Sequence, residues 1–319
     1  MTSPDVLVLR EKPHGLPGQK YAAALQERLG EVATVQAAQT PAQEREAIAT
    51  APIVSGGHFD ESLLADADAL DYFACMYAGY DHLPLEGMAE RDIAVTNAAG
   101  VHGPNIAEHV LGSFLAFARR FFQARRQQRN HEWRGFQSRE LAGSRVAIVG
   151  MGAIGQAITE RLQGFDVTTV GVRYTPEKGG PTDEVYGFAE IHQALAGAEY
   201  VAIATPLTEQ TRGLIGAEEL QTLPPSAVLV NVARGPIVET DALVDALRAN
   251  HLRGAALDVT EPEPLPNDHP LWDFENVFIT PHTSGHTPDY YERLADIVAP
   301  NVESVLQENS PESLRNRVV

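Results

Sequence analysis

The sequence predicts an α/β fold built from two doubly wound parallel sheets. Three observations lead there. Short β-branched runs alternate with stretches of helical spacing along most of the chain. Several of those runs are continuously apolar, as strands covered on both faces are. A chain of 319 residues, 44% of them hydrophobic, is also too long for one small core and suits two domains.

The elements follow in order. A first group of strands is expected at 5–9 (DVLVL), 52–57 (PIVSGG), 72–76 (YFACM) and 93–97 (IAVTN). One long helix then starts near Pro104. Ile106, Val110, Phe114, Phe117 and Phe121 recur at helical spacing, and Leu111, Leu115, Ala118 and Phe122 form a second stripe beside them. Two apolar stripes mean burial on most sides, until RRQQRNHEWR turns polar. Such a helix is a natural joint between domains. The second group is expected at 145–150 (RVAIVG), 167–172 (VTTVGV), 200–206 (YVAIATP), 227–233 (AVLVNVA), 254–259 (GAALDV) and 277–281 (VFITP). The last helix, from about Pro288, carries Leu294, Val298, Val302 and Val305 on one face, with a kink expected at Pro300. It follows the second group, and its expected place is back on the first domain. The boundaries expected are 1–100 plus 288–319 for one domain and 101–287 for the other. There is no internal repeat and no low-complexity segment.

Composition narrows the partners. The net charge is −19, from 43 acids against 24 bases, and the only lysines are Lys12, Lys20 and Lys178. A broad negative surface repels nucleic acid and anionic lipid, so neither is expected as a partner. No apolar run reaches the ~18 residues of a membrane helix, and the N-terminus lacks the pattern of a signal peptide. A cytoplasmic protein is expected. The acid excess with scarce lysine favours a salt-rich cytoplasm over a merely acidic cytosolic protein. Cys75, the single cysteine, lies in an apolar run and reads as a buried, inert thiol.

The stretch RVAIVGMGAIGQAITERL carries Gly150, Gly152 and Gly155 as G-x-G-x-x-G, after a strand and opening a helix. That context makes it a dinucleotide-binding turn rather than a structural glycine loop. Gly150 allows the tight turn, Gly152 the approach of a pyrophosphate, and Gly155 the packing of helix on strand. The phosphates are expected near Ala153 and Ile154, on N–H groups at the helix start. An NAD-binding chain usually carries an acid about 20 residues past the glycines, on the ribose hydroxyls. Here Arg173 stands 18 residues after Gly155. A guanidinium cannot accept a hydroxyl's hydrogen bond, but it grips a phosphate with a planar fork. The expected cofactor is therefore NADP, with NAD as the weaker alternative. Tyr174 and Thr175 are placed to add hydroxyl donors there, and Lys178 to add charge.

Three further segments put polar residues just past buried strands, where ligands gather in parallel sheets. LVNVARGPIVE carries Arg234, ALDVTEPEPLP carries Asp258 and Glu263, and FITPHTSGHT carries His282, with the bond before Pro281 a candidate for unusual geometry. An arginine fork holds a carboxylate and polarises a neighbouring carbonyl. A histidine gives a proton to the alkoxide that forms there, and a carboxylate beside it favours the imidazolium. With hydride from a nicotinamide, these groups describe reduction of a 2-oxo acid and its reverse. His282 and His286 have a metal-like spacing, but Pro281 and Gly285 argue against the helix that spacing needs, so no metal is expected.

These motifs, VGMGAIG, TPLTEQTRGLIG, LVNVARGPIV, ALDVTEPEP and TPH, stand in order over most of the chain, and the sequence resembles the D-2-hydroxyacid dehydrogenase family. The resemblance implies a Rossmann cofactor domain and a flavodoxin-like substrate domain. It implies Arg234 as substrate anchor, His282 as acid/base and Glu263 as its partner, with Asp258 orienting the nicotinamide amide. The cofactor set it implies begins at the turn (Met151, Gly152, Ala153, Ile154) and continues through Thr205, Pro206, Thr211, Val232, Ala233, Arg234, Asp258, His282 and Ser284. In MYAGYD, it implies that backbone N–H groups around Ala78 and Gly79 meet the substrate carboxylate, with Tyr77 nearby. Family members are usually homodimers through the cofactor domain, with a cleft that closes on the ligand. Asn105 departs from the Ser or Thr common at its position, and Glu263 argues against a formate dehydrogenase. The function implied is an NADPH-preferring 2-oxo acid reductase, with a glyoxylate or hydroxypyruvate reductase as the narrower form. A cofactor-sensing adaptor of the same fold is the alternative of a different class.

Overall fold

The computed structural model describes residues 4–80, 82–308 and 313–319. The chain divides into two compact units: residues up to His102 together with those from His286 onward, and Gly103–Gly285.

In the first unit five parallel strands are described: β1 Val6–Val8, β2 Val35–Ala37, β3 Ile53–Gly56, β4 Tyr72–Cys75 and β5 Ala94–Thr96. Their order is β2-β1-β3-β4-β5, the flavodoxin-like order with its switch point between β1 and β3. Every residue of β3 and β4 is buried, which is why those segments read as unbroken apolar runs. Tyr21, Leu25, Tyr72, Tyr290 and Leu294 fill one core of this unit, and Leu7, Val54, Phe73 and Val95 fill another. The helix Tyr290–Glu308 runs through Pro300 and packs with the helix Gly18–Leu29, where Arg28 Nε donates to Asp296 at 2.6 Å.

The second unit holds β6 Arg145–Val149, β7 Thr168–Val172, β8 Glu184–Tyr186, β9 Tyr200–Ile203, β10 Val228–Asn231, β11 Gly254–Leu257 and β12 Val277–Ile279. All pair in parallel, in the order β12-β11-β10-β9-β6-β7-β8. Counted from β6, this is the 3-2-1-4-5-6 order of a dinucleotide-binding sheet, with β12 added at one edge. Its switch point falls between β6 and β9. The helix Gly103–Ala118 covers one face, burying Ile106, Val110, Phe114 and Phe117. Each such side chain contributes about 1.5–3 kcal/mol of transfer free energy.

Three local features differ from the sequence-based expectation. The single long helix is broken: Arg120 sits at φ 57°, and a second helix, Phe121–Arg129, begins after it. The second apolar stripe hid the break, because Phe122 still packs on this core. Two strands were not anticipated, β2 and β8. Both are three-residue edge strands with incomplete burial, so neither leaves an apolar run in the sequence. The cis peptide bonds among the described residues precede Pro262 and Pro264, not Pro281.

Candidate active site

The glycine turn lies at the switch point of the second sheet. Gly150 follows β6 with φ 108°, and a Cβ there would lie 2.6 Å from the Ala204 carbonyl. At Gly155, in the helix Ala153–Leu162, a Cβ would come within 1.9 Å of the Gly150 oxygen, so only glycine lets helix and strand approach this closely. Gly152, the N-cap, faces open space. Ala153 and Ile154 open the helix, so their N–H groups have no intrahelical acceptor and carry the positive end of its dipole. Met151 is buried against Gly171 of β7. Bare backbone, open space and orphan donors together fit a pyrophosphate.

Arg173 leaves β7 with its N–H bonded to Tyr186 O of β8 at 3.0 Å. Its guanidinium donates through Nη1 to the Gly179 carbonyl, and its other N–H groups have no partner among the described residues. Tyr174 beside it is 69% exposed, and Thr175 precedes the turn Pro176–Lys178.

The remaining candidates stand beyond the carboxyl ends of three neighbouring strands. After β10, buried Asn231 shapes the turn: its Oδ1 accepts from Ala233 N at 3.0 Å, and its Nδ2 donates to Arg234 O at 3.1 Å. Arg234 is exposed, donates through Nη1 to Ala233 O at 2.8 Å, and has no ion pair among the described residues. Its neighbour Gly235 lies so close to Thr260 that a Cβ would sit 2.0 Å from the Thr260 oxygen. Thr260 N–H in turn donates to Glu263 Oε1 at 3.0 Å. Glu263 Oε2 meets His282 Nδ1 at 3.0 Å, which leaves His282 Nε2 without a partner among the described residues. His282 is held at φ 53°, with its N–H on Asp258 O at 2.8 Å. A left-handed conformation at a non-glycine residue persists only where its surroundings impose it.

Asp258 supplies that constraint. It is 2% exposed, and its carboxylate accepts from Thr280 Oγ1 at 2.6 Å, Thr283 N at 2.9 Å and Ser284 N at 2.9 Å. Burial pushes its carboxyl upward, but the hydrogen bonds from Ser284, Thr280 and Thr283 outweigh burial and hold it below the usual range. Asn105 Nδ2 donates to Ser284 O at 2.8 Å, tying the helix Gly103–Ala118 to the same loop. Sequence reasoning missed Thr280 and Asn231, although each is a polar residue ending an apolar run. It also missed His109, whose Nε2 lies 3.5 Å from Thr280 Oγ1. Burial keeps the His109 imidazole below its ordinary value, against the pull of Asp258. Of the other expected cofactor residues, Thr205, Val232 and Ala233 are buried, and Thr211 Oγ1 donates to Pro206 O at 2.6 Å.

In the first unit, Met76 is fully buried, Tyr77 is half-buried and Tyr80 is exposed. Asp81 lies outside the described residues. The turn after β4 is fixed by Asn97 Nδ2 donating to Ala78 O at 2.7 Å, and Cys75 Sγ lies 3.9 Å from Gly79 O. Burial raises the Cys75 thiol to about 11. Tyr77 packs edge-on to His58 and His82, a grouping that no sequence motif marks. Its hydroxyl is pushed up by burial, then by Glu11 and Cys75.

Comparison with known proteins settles what this arrangement belongs to. The D-isomer specific 2-hydroxyacid dehydrogenase, NAD binding domain, matches residues 111–284, more than half of the chain. This chain belongs to the D-isomer specific 2-hydroxyacid dehydrogenase family. Glyoxylate reductase of Thermofilum pendens is 36% identical over 269 residues, covering 82% of this chain and 79% of that protein. Glyoxylate reductase of Pyrococcus furiosus is 33% identical over 269 residues, with 82% and 80% covered. Among solved structures, a D-isomer specific 2-hydroxyacid dehydrogenase of Xanthobacter autotrophicus Py2, in complex with NADPH and MES, superposes with a TM-score of 0.81. It is 29% identical, with 99% of this chain and 98% of that one covered. As a member of this family, the chain is a nicotinamide-dependent dehydrogenase acting on small 2-hydroxy and 2-oxo acids. Among the described residues, no helix is long and apolar enough to cross a membrane.

Proposed function

We propose that this 2-hydroxyacid dehydrogenase is an NADPH-preferring reductase of small 2-oxo acids, with glyoxylate and hydroxypyruvate as its first substrates to test. The observation that carries the chemistry is the 3.0 Å bond between Glu263 and His282, on the sheet edge next to the Arg234 turn. The nicotinamide, when bound, supplies the hydride. Arg234, with no carboxylate partner among the described residues, grips the carboxylate of the 2-oxo acid with its fork. His282 gives a proton from Nε2 to the carbonyl oxygen as charge develops there. Glu263 holds the ring through Nδ1 and so fixes its orientation. Asp258 and Thr280 fix the loop that carries the histidine.

NADPH preference rests on Arg173, whose remaining donors suit a 2′-phosphate and which cannot accept a hydrogen bond from ribose hydroxyls as a carboxylate does. The NADPH complex of the Xanthobacter relative supports the cofactor reading, and the glyoxylate reductases among this chain's relatives support the substrate reading. A homodimer is the assembly we propose; fully exposed Trp133 and half-exposed Phe121, in the cofactor-domain unit, support a covered face there.

The test is initial rates with glyoxylate, hydroxypyruvate and pyruvate, each with NADPH and NADH. NADPH should give the higher kcat/KM, and Arg173→Asp should reverse the preference by at least roughly tenfold. A wild type that prefers NADH removes the cofactor assignment. A chain that binds NADPH but reduces no 2-oxo acid removes the chemistry.

A further inference from the structure

The sheet of the first unit has a switch point of its own, between β1 and β3. Doubly wound sheets bind ligands at such points, beyond the carboxyl ends of the strands. Glu11 follows β1, Gly57 and His58 follow β3, and Tyr77 follows β4. With His82 they form a cluster that the proton transfer does not use. We infer that this cluster recognises the substituent on C3 of the 2-oxo acid, and that the substituent it takes is a neutral hydroxyl. The inference rests on the reading of the chain as a 2-oxo acid reductase. Arg234 and His282 account for the carboxylate and the carbonyl of such a substrate, and C3 is what remains to be recognised.

The cluster is braced across the switch point. The Glu11 carboxylate accepts from Gly57 N–H, from His58 N–H at 2.7 Å and from His58 Nδ1 at 3.2 Å. His82 Nε2 donates to the Gly57 carbonyl at 2.6 Å. A Cβ on Gly57 would lie 2.4 Å from the Tyr77 ring and 2.5 Å from Glu11 Oε2, so bare backbone is what seats Tyr77 against this loop. The three rings stand together. Their centroids are 5.2 Å apart for His58 and His82, 5.7 Å for His58 and Tyr77, and 6.2 Å for Tyr77 and His82.

Bracing occupies one nitrogen of each histidine and leaves the other. Among the described residues, His58 Nε2, His82 Nδ1 and the Tyr77 hydroxyl have no hydrogen-bond partner. His58 and His82 are exposed and Tyr77 is half-buried, so the cluster is open to a ligand. A neutral imidazole that donates through one nitrogen offers a lone pair at the other, and a phenol both donates and accepts. A hydroxyl answers both kinds of group: it gives its proton to an imidazole nitrogen and accepts from Tyr77. A methyl group answers neither. A carboxylate has no proton to give, and the Glu11 charge repels it.

The test measures kcat/KM for four 2-oxo acids at saturation with the better of NADPH and NADH. Glyoxylate has no C3; pyruvate, hydroxypyruvate and oxaloacetate carry hydrogen, hydroxyl and carboxylate there. Wild type should favour hydroxypyruvate over pyruvate by at least roughly fivefold, with oxaloacetate below both. Tyr77→Phe keeps the ring over Gly57 and removes only the hydroxyl. His58→Ala removes one acceptor from an exposed position. Each should cut the hydroxypyruvate-to-pyruvate ratio by roughly threefold or more, while the pyruvate-to-glyoxylate ratio moves far less. A merely structural role would lower all four substrates together and leave both ratios in place, and that result overturns the inference. So does a wild type that reduces glyoxylate but does not favour hydroxypyruvate over pyruvate and oxaloacetate; the reductase reading survives either result. A wild type that reduces none of the four with either cofactor removes the reductase reading, and this inference falls with it.

Discussion

At the level of single residues, the chemistry reduces to one ring held at one angle. His282 occupies a left-handed conformation with its N–H on Asp258 and its Nδ1 on Glu263. A test of its role should therefore not disturb the backbone. Asparagine visits this region more readily than alanine does, so His282→Asn is the informative variant. It should lower kcat by about 10²–10⁴ while the dissociation constant for NADPH moves less than about threefold. Stopped-flow turnover and cofactor fluorescence titration read the two quantities separately, and equal losses in both would contradict a proton-transfer role. Glu263→Gln keeps an acceptor for Thr260 N–H but removes the charge beside the imidazole. It should cost roughly tenfold in kcat with KM for the 2-oxo acid little changed, because the substrate-gripping group is Arg234. A KM effect with unchanged kcat would place Glu263 in binding instead.

At the level of elements, the short edge strand β8 is held by charge where it lacks apolar burial. Arg145 Nη1 and Nη2 meet Glu184 Oε1 and Oε2 at 2.7 and 3.0 Å. Asp183 Oδ2 accepts from both Thr169 N and Thr169 Oγ1, at 2.7 and 2.8 Å. The Arg145 fork, then Tyr186, lowers the Glu184 carboxyl from 4.5 to about 2. A depressed carboxylate stabilises the fold above its unfolded value and loses that contribution as pH falls through the folded one. Glu184→Gln should therefore lower the thermal midpoint above pH ~5, and the gap from wild type should close as pH approaches about 2. A gap independent of pH would mean that packing, not charge, holds the strand. This is also why β8 was invisible in the sequence: its partners are 14 and 39 residues away, and its own side chains follow no apolar pattern. The eight central strands were legible because burial on both faces leaves continuous apolar runs. The glycine turn was legible because its three bare positions answer to separate steric demands. Asn231 and Thr280 were not, because what they do is shape a loop, and only the folded chain shows which loop.

At the level of the whole molecule, the charge is the feature that no single contact explains. The net charge of −19 sits on a surface whose arginines are often already paired, as Arg28 is with Asp296 at 2.6 Å and Glu292 at 3.0 Å. Salt acts on both terms. It weakens the pairs, worth about 0–1 kcal/mol each at the surface, and it screens the repulsion among the excess acids, which have no partner to lose. Because 43 acids face 24 bases, the second effect should prevail. Screening shortens from ~10 Å at 0.1 M to ~3 Å at 1 M salt, so most of the gain should appear before molar concentration. The thermal midpoint should rise by at least about 2 °C across that range, the shift that roughly 1 kcal/mol produces in a chain of comparable size. Repeating the scan in sucrose, which strengthens apolar burial without screening charge, separates the two causes. A rise in sucrose but not in potassium chloride would show that the acidic surface is not stabilised by screening, and the salt-rich setting read from it would fall with that result.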